Sequence, residues 1–180
     1  KIGDEKVEAI QSSTEVVCTA FTEGWFMKKL NKKNKKLVVA NPIDSKRFSL
    51  DLLGSHQLEN ASLVYIACKA IAYKLPMPTA GIVEGINSTI WPGRGQIIKK
   101  NPLIVFDVAH NNASIDKYIE LINSIHRNGK KILLLALQKR KDIVRCHHEI
   151  GKTFDLIICT KIKSRNPMAL YEFKNIRRLR

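Results

Sequence analysis

The spacing of apolar residues divides the chain into a first part with mixed patterns and a second part with a regular one. Two short apolar runs near the start, 16–21 and 37–43, are typical of strands. Between 57 and 74 the apolar residues recur every three or four positions, which predicts a helix that two prolines then end. A second helix is predicted to follow, with Thr79 as its cap. Three isoleucines are expected on one face of this helix: Ile82, Ile86 and Ile90.

Beyond the segment Trp91-Pro92-Gly93, apolar runs of strand length alternate with helical patterns. Strands that are apolar throughout and alternate with helices form parallel sheets covered on both faces, so this part is predicted to be α/β. The change of pattern at residue 91 predicts a boundary between two domains, 1–90 and 91–180. The predicted elements are a strand or hairpin at 96–100, buried strands at 103–106, 131–138 and 156–162, helices at 113–126 and 142–154, and a last helix from Pro167.

The formal net charge of the chain is +15 at pH 7, and one dense run of lysines extends from Lys28 to Lys36. A nucleic acid or a membrane surface is one interpretation of such a charge. No aromatic residues interrupt the run, so it offers no platform for stacking bases. Lysine, isoleucine and asparagine are all common, as AT-rich coding favours. Compositional drift with a small anionic substrate is therefore preferred, no nucleic-acid partner is expected, and the run is predicted to form a hairpin loop or a disordered tip.

Other features limit the class of protein further. No apolar run approaches the roughly 18 residues of a membrane span, and the start lacks a secretory pattern, so no membrane partner is expected. The four cysteines are far apart without a C-x-x-C pair, which favours a reducing cytoplasm. In Cys146-His147-His148, adjacent helical side chains point about 100° apart and cannot share one ion without other ligands. Neither a metal site nor a catalytic nucleophile is predicted.

Three polar segments carry candidate chemistry: Gly54 to Ala61 (GSHQLENA) at the start of the first predicted helix, Trp91 to Arg94 (WPGR) at the boundary, and Asp107 to Asn111 (DVAHN) after a predicted strand. The carboxamide of Asn60 offers a donor beside an acceptor, which matches the edge of adenine, although such a residue also commonly bonds nearby backbone. Arg94 carries a guanidinium suited to phosphate oxygens, or it is one more basic residue on a solvated face.

The third segment lies where open α/β sheets bind ligands, outside the carboxyl end of a strand. The Asp107 carboxylate could accept both hydroxyl groups of a ribose there, or it could cap the helix that follows. His110 could contact the same ligand or brace the loop.

Taken in order, these segments resemble the G-x-H-Q-x-x-N-A, W-P-G-R and D-G-A-H-N motifs of folylpolyglutamate and dihydrofolate synthases, a branch of the Mur ligase family. The resemblance covers about residues 50 to 142, including a Lys141-Asp142 pair. It implies an α/β fold: a C-terminal Rossmann-like Mur ligase domain, a mostly parallel sheet with helices on both faces, preceded by the end of a central P-loop ATPase-type domain. Residues 1–90 would belong to the central domain and 91–180 to the C-terminal one, without its last strand.

The resemblance also implies an activity and a set of ligands. It implies an ATP-dependent acid–amino-acid ligase, in which ATP converts a folate or dihydropteroate carboxylate into an acyl phosphate that L-glutamate then attacks. ATP would contact Asn60, Arg94, Asp107 and His110, in a monomeric cytoplasmic enzyme of folate biosynthesis and one-carbon metabolism.

Two departures from the family pattern matter. The phosphate-binding glycine loop and the magnesium ligands are expected upstream of Lys1, so Mg²⁺ is an expected cofactor but this chain alone is expected to be inactive. Val108 stands where the family usually has glycine, which is expected to change the geometry of that loop. The alternatives are another Mur-type peptide ligase, and a decayed copy that only binds nucleotide or a basic binding protein.

Overall fold

The computed structural model describes residues 2–20, 23–33, 36–40, 45–125, 128–138, 147–161, 163 and 167–168. The chain divides into two compact units, Lys1–Ile90 and Trp91–Arg180. None of the described helices combines the length and the hydropathy that crossing a bilayer requires.

The described residues of the first unit form a two-stranded parallel sheet, a 3₁₀ turn and four α-helices. Strands β1 and β2 pair with Val16 opposite Lys36 and Thr19 opposite Val39, and the Ala40 N–H extends the pairing to the Thr19 carbonyl. The elements are α1 (Ile2–Glu8), β1 (Val16–Thr19), α2 (Gly24–Asn31), β2 (Lys36–Val39), a 3₁₀ turn (Ser45–Arg47), α3 (Ser55–Ile71) and α4 (Thr79–Asn87).

The prediction of a hairpin loop or disordered tip for the lysine run is wrong. Parallel strands cannot be joined by a hairpin and need a crossover, which α2 provides. Leu30 is buried while the lysines of the helix stay exposed, and Lys29 forms an ion pair with Asp4 of α1. The run therefore begins on a helix that packs one apolar side chain inward.

Helices α3 and α4 pack together around a small core. Its buried members are Phe48, Ala61, Ile82 and Ile86. The prediction that Ile90 lies on the same helix face as Ile82 and Ile86 is wrong, because α4 ends at Asn87 and Ile90 is 80% exposed. The prediction of Thr79 as the cap was also wrong: Thr79 is the first helical residue and Pro78 precedes it.

Within its described residues, the second unit has a β-hairpin and a parallel strand pair with two helices. Strands β3 and β4 are antiparallel, with an irregularity between Ile97 and Lys99, and β5 and β6 are parallel, with Ile132 opposite Leu156. The elements are β3 (Gln96–Lys100), β4 (Leu103–Phe106), α5 (Asn112–Ile125), β5 (Ile132–Leu135), α6 (His147–Thr153) and β6 (Leu156–Cys159).

The core of the second unit lies between the β5–β6 pair and helices α5 and α6. Leu133, Leu135 and Ile157 point inward from the strands, and Ile157 is fully buried. The alternate residues of β5 point the other way, so that Ile132 is 59% and Leu134 is 67% exposed. The strand β4, predicted to be buried, is exposed along most of its length and pairs with β3 among the described residues.

Some predictions fall outside the described residues. These are the Lys141-Asp142 pair, Cys146, the start of the helix predicted at 142–154, and the last helix beyond Met168. The predicted start of that helix at Pro167 is wrong: Pro167 forms an isolated antiparallel bridge with Gln138, and the Met168 N–H donates to the Leu137 carbonyl at 2.9 Å.

Candidate functional site

Asp107 ties two loops of the second unit together. It follows the last residue of β4 and is half-buried. Its Oδ2 accepts a hydrogen bond from the Gly95 N–H at 2.7 Å, and its Oδ1 accepts one from the Ala109 N–H at 2.7 Å. Hydrogen bonds to an ionised acceptor are the strong ones, so the carboxylate holds both loops in place. A carboxylate has about four acceptor positions, which leaves about two for the hydroxyl groups of a ligand.

The helix after this loop is capped by Asn111, not by Asp107. The Asn111 Oδ1 accepts from the Ser114 N–H at 2.9 Å, and the Ser114 Oγ accepts from the Asn111 N–H at 3.1 Å. This reciprocal pair is a capping box, which satisfies backbone donors that the first turn of α5 leaves open. The capping alternative considered for Asp107 is therefore wrong, and its carboxylate serves the loops instead.

Replacing Asn111 with alanine is expected to lower the free energy of unfolding of the second unit by about 1 kcal/mol, because the cap bond to Ser114 is lost. Asn111→Ser retains a capping oxygen and is the matched control. Urea unfolding of both variants measures the difference. Equal stability of the alanine and serine variants would show that the cap contributes nothing.

Gly93 and Val108 form the contact between the two loops. The Val108 N–H donates to the Gly93 carbonyl at 2.9 Å. Gly93 has a φ of +77°, and a Cβ placed on it would lie 2.7 Å from the Val108 Cγ1. Only glycine combines that backbone conformation with that free space. The valine at the position where the family has glycine is thus accommodated by the absence of a side chain at Gly93.

Arg94 lies between two buried glycines, Gly93 and Gly95, both with positive φ. Its backbone N–H donates to the Trp91 carbonyl at 3.3 Å, which closes the turn. Its side chain is exposed, and its guanidinium makes no hydrogen bond or ion pair with the rest of the described chain. Arg94 directly precedes Gly95, whose N–H donates to the Asp107 carboxylate. The backbone next to Arg94 is therefore anchored to Asp107.

His110 lies on the same loop and bonds within it. Its Nδ1 is 2.9 Å from the Val108 carbonyl oxygen. A carbonyl oxygen only accepts, so Nδ1 carries the hydrogen and Nε2 is the acceptor of the neutral ring. The loop-bracing alternative is therefore what the structure describes, and the exposed ring still presents Nε2 outward.

Tyr118 lies on α5, near enough to Asp107 to feel its charge, and was not among the candidate residues predicted from the sequence. Burial, together with the negative charge of Asp107, raises the pKa of Tyr118 to about 12. The phenol therefore stays neutral at physiological pH. It contributes a protonated hydroxyl group and no charge to the neighbourhood of Asp107.

Asn60 lies in the first unit, on the exposed side of α3. Its Nδ2 donates to the Gln57 Oε1 at 3.0 Å, so its partner is a side chain and not the nearby backbone. The predicted ligand-binding residues thus fall into two groups. The second unit brings Arg94, Asp107 and His110 onto two hydrogen-bonded loops, and the first unit carries Asn60 on its own.

The fold is that of solved folylpolyglutamate synthase structures. The chain superimposes on Escherichia coli FolC in complex with DHPP and ADP with a TM-score of 0.84 at 20% identity, covering 99% of this chain and 47% of that one. A bifunctional folylpolyglutamate synthase/dihydrofolate synthase with Mn, AMPPNP and L-glutamate bound gives a TM-score of 0.77 at 16% identity, with 99% and 47% covered. The predicted α/β class is confirmed.

Sequence relatives are of the same kind. The dihydrofolate synthase/folylpolyglutamate synthase of Escherichia coli K12 is 32% identical over 84 residues, 47% of this chain and 19% of that protein. The UDP-N-acetylmuramyl-tripeptide synthetase of Lactococcus lactis MG1363 is 32% identical over 94 residues, 51% of this chain and 18% of that protein. No protein-family model matches the chain.

The resemblance to folylpolyglutamate and dihydrofolate synthases, predicted from three motifs, is confirmed by these relatives and structures. The chain spans about half the length of the two solved structures named above, and its match covers about a fifth of the two curated relatives.

Proposed function

We propose that this chain is the nucleotide-holding later part of an ATP-dependent ligase that adds L-glutamate to a folate or dihydropteroate carboxylate. The observation that carries the proposal is the arrangement around Asp107. The Asp107 carboxylate is anchored by two backbone N–H groups and has spare acceptor positions, and one of those N–H groups belongs to Gly95, the residue after Arg94. Arg94 carries an exposed guanidinium with no partner in the described structure. The carboxylate suits the hydroxyl groups of a ribose, and the guanidinium suits phosphate oxygens.

The proposed reaction has two steps. The substrate carboxylate attacks the γ-phosphorus of ATP, so that an acyl phosphate forms and ADP leaves. The amine of L-glutamate then attacks the acyl carbon, and the amide forms as phosphate leaves. In such transfers, placement and charge neutralisation supply most of the catalysis. Arg94 would neutralise phosphate charge, Asp107 would accept from the ribose hydroxyl groups, and His110 would contact the nucleotide through Nε2. The resemblance assigns Asn60, on the first unit, to the base.

Magnesium would supply further neutralisation when bound with ATP. Within the described ranges, however, no group of three or more histidine, cysteine or carboxylate side chains could hold a metal ion. The residues described here therefore do not make a complete metal site, and no step is assigned to such a site.

A reducing cytoplasm is the compartment that suits the proposal. The described cysteines Cys18, Cys68 and Cys159 are free thiols, and burial raises the pKa of Cys18 and Cys159. Raised thiol pKa values make these groups less reactive, as expected for structural cysteines. We propose a cytoplasmic monomer without a nucleic-acid partner.

The experiment measures ADP release by the full-length gene product. We expect release that requires both L-glutamate and either dihydropteroate or a reduced folate. The likeness to the tripeptide synthetase makes a peptide ligase for uridine-linked precursors the second candidate. Release only with such precursors would support this second candidate. No release with any acceptor would favour a copy that has lost the activity.

A further inference from the structure

The start of α3 carries a row of contacts that the proposed function does not explain. Gly54 precedes the helix with a φ of +108°, a conformation that favours glycine. A Cβ built on Gly54 would lie 2.7 Å from the Cε1 and 2.9 Å from the Nδ1 of His56. The imidazole of His56 thus folds back over the backbone of Gly54, in space that any other residue would occupy.

The ring of His56 then contacts the amide of Gln57. The Gln57 Nε2 is 3.1 Å from the His56 Nε2. An amide nitrogen only donates, so the histidine nitrogen accepts, which requires the neutral ring with its hydrogen on Nδ1. Gln57 is only 6% exposed, so its amide cannot hydrogen-bond to bulk water. In this arrangement the Gln57 Oε1 is directed away from His56 and toward Asn60.

The amide of Gln57 fixes Asn60 in turn. The Gln57 Oε1 accepts from the Asn60 Nδ2 at 3.0 Å, and because an oxygen cannot donate, Asn60 cannot reverse its amide without losing this bond. Asn60 is exposed, whereas the residue that orients it is buried. The Asn60 Oδ1 and its second N–H are left for a ligand, so that the acceptor and the donor occupy fixed positions.

We propose that Gln57 is a positioning residue that sets the order of donor and acceptor on Asn60 and thereby selects adenine over six-oxo purines. The proposal rests on the proposed function, in which Asn60 contacts the base of ATP. Adenine presents an acceptor, N7, beside a donor, the 6-amino group, which the fixed donor and acceptor of Asn60 complement. Hypoxanthine and guanine present two acceptors on the same edge, so their 6-oxo group would face the Asn60 Oδ1.

The spacing of the GSHQLEN segment follows from this arrangement. Glycine makes room for the imidazole, the imidazole orients the glutamine amide, and the glutamine amide orients the asparagine one helical turn from His56. Each residue acts on the next, and only Asn60 contacts the ligand.

The test compares ATP with ITP in glutamate-dependent ligation by the full-length gene product. Gln57→Met keeps the length of the side chain but removes the acceptor. Gln57→Glu is the matched control, since its carboxyl oxygen still accepts from the Asn60 Nδ2. Asn60→Ala, alone and combined with Gln57→Met, shows whether Gln57 acts through Asn60. Thermal unfolding of every variant checks that the fold is kept.

We expect the wild type to prefer ATP over ITP by about tenfold or more in kcat/KM. Gln57→Met is expected to raise KM for ATP by about tenfold with kcat within about twofold, and to reduce the preference to about threefold or less. Gln57→Glu should retain the preference. In the Asn60→Ala background, Gln57→Met should change the preference no further.

An undiminished ATP preference in Gln57→Met would overturn the positioning role while leaving the proposed ligase intact. Equal loss in Gln57→Glu and Gln57→Met would also overturn it, because a general packing effect would then explain both. Absence of any nucleotide-dependent ligation in the wild type would instead remove the proposed function and this role together. If Gln57→Met fails to fold, wild type is compared with Gln57→Glu and Asn60→Ala instead. Loss of the ATP preference in Gln57→Glu would contradict the proposal. Retention of the preference in Gln57→Glu together with its loss in Asn60→Ala would support it.

Discussion

Replacing Arg94 with alanine is expected to lower kcat/KM for ATP by about 100-fold in the full-length gene product, with no change in the unfolding temperature. The guanidinium is exposed and has no partner in the described structure, so its removal costs the folded state nothing. If it binds phosphate oxygens during transfer, its loss removes a charge-assisted contact at the place where charge moves. Steady-state kinetics with varied MgATP, together with thermal unfolding, measures both quantities.

Two further variants make the Arg94 experiment specific. Arg94→Lys keeps the charge but not the planar fork, and should recover only part of the loss. Lys99→Ala removes an exposed cation from β3 of the same unit and is the matched control for net charge. A value of kcat/KM for Arg94→Ala within about twofold of Lys99→Ala would show that Arg94 is an ordinary surface cation.

Gly93→Ala is expected to destabilise the second unit by about 2–4 kcal/mol. One part of this loss of stability comes from placing alanine in a left-handed backbone conformation. The other part comes from the overlap of the new Cβ with the Val108 Cγ1 at 2.7 Å. The chain has two tryptophans, so urea unfolding followed by the fluorescence of Trp91 in a Trp25→Phe background reports on the second unit.

The two contributions can be separated with variants that the chain itself offers. Gly129 has a φ of +98° with nothing within 4 Å of a built Cβ, so Gly129→Ala carries the backbone cost without the overlap. Val108→Gly removes the overlapping atom, and Gly93→Ala in that background should cost only about as much as Gly129→Ala. If Val108→Gly gives no relief, the contact between the two loops is not what Gly93 provides.

The sequence predicted those parts of the fold in which local pattern and tertiary environment agree. The helix α3 was predicted nearly to its bounds and the strand β6 at its first residue, because apolar residues recur at the spacing of one buried face or fill a short run. The β3–β4 pair was included as a hairpin alternative. In each case the nearest residues in the chain decide the structure.

Other features depend on residues far apart in the chain. The parallel pairing of β1 and β2 makes the segment between them a crossover, and nothing within the lysine run signals this. The run LIVF of β4 has the composition of a buried strand, yet Leu103, Ile104 and Phe106 are exposed by 44% to 46%. Composition reports how apolar a strand is, but not whether another element packs against it.

For the candidate site, the motifs identified the residue types but not their partners. Sequence order placed Asp107 and His110 after a strand and Arg94 at the domain boundary, and the structure joins these two loops through Asp107. The contacts of Gln57 could not be predicted, because a glutamine near the start of a helix has many rotamers, and the one observed depends on contacts with His56 and Asn60 and on burial. The contacts of these residues with ATP remain a prediction.

The most direct test of the proposed ligase follows oxygen from substrate to product. The full-length gene product is incubated with ATP, L-glutamate and dihydropteroate or a reduced folate whose carboxylate carries a heavy-oxygen label, and the released phosphate is analysed by mass spectrometry. An acyl phosphate intermediate predicts one labelled oxygen in each phosphate formed together with the glutamate adduct. Glutamate adduct formed with unlabelled phosphate, or phosphate formed without any adduct, would contradict the proposed reaction.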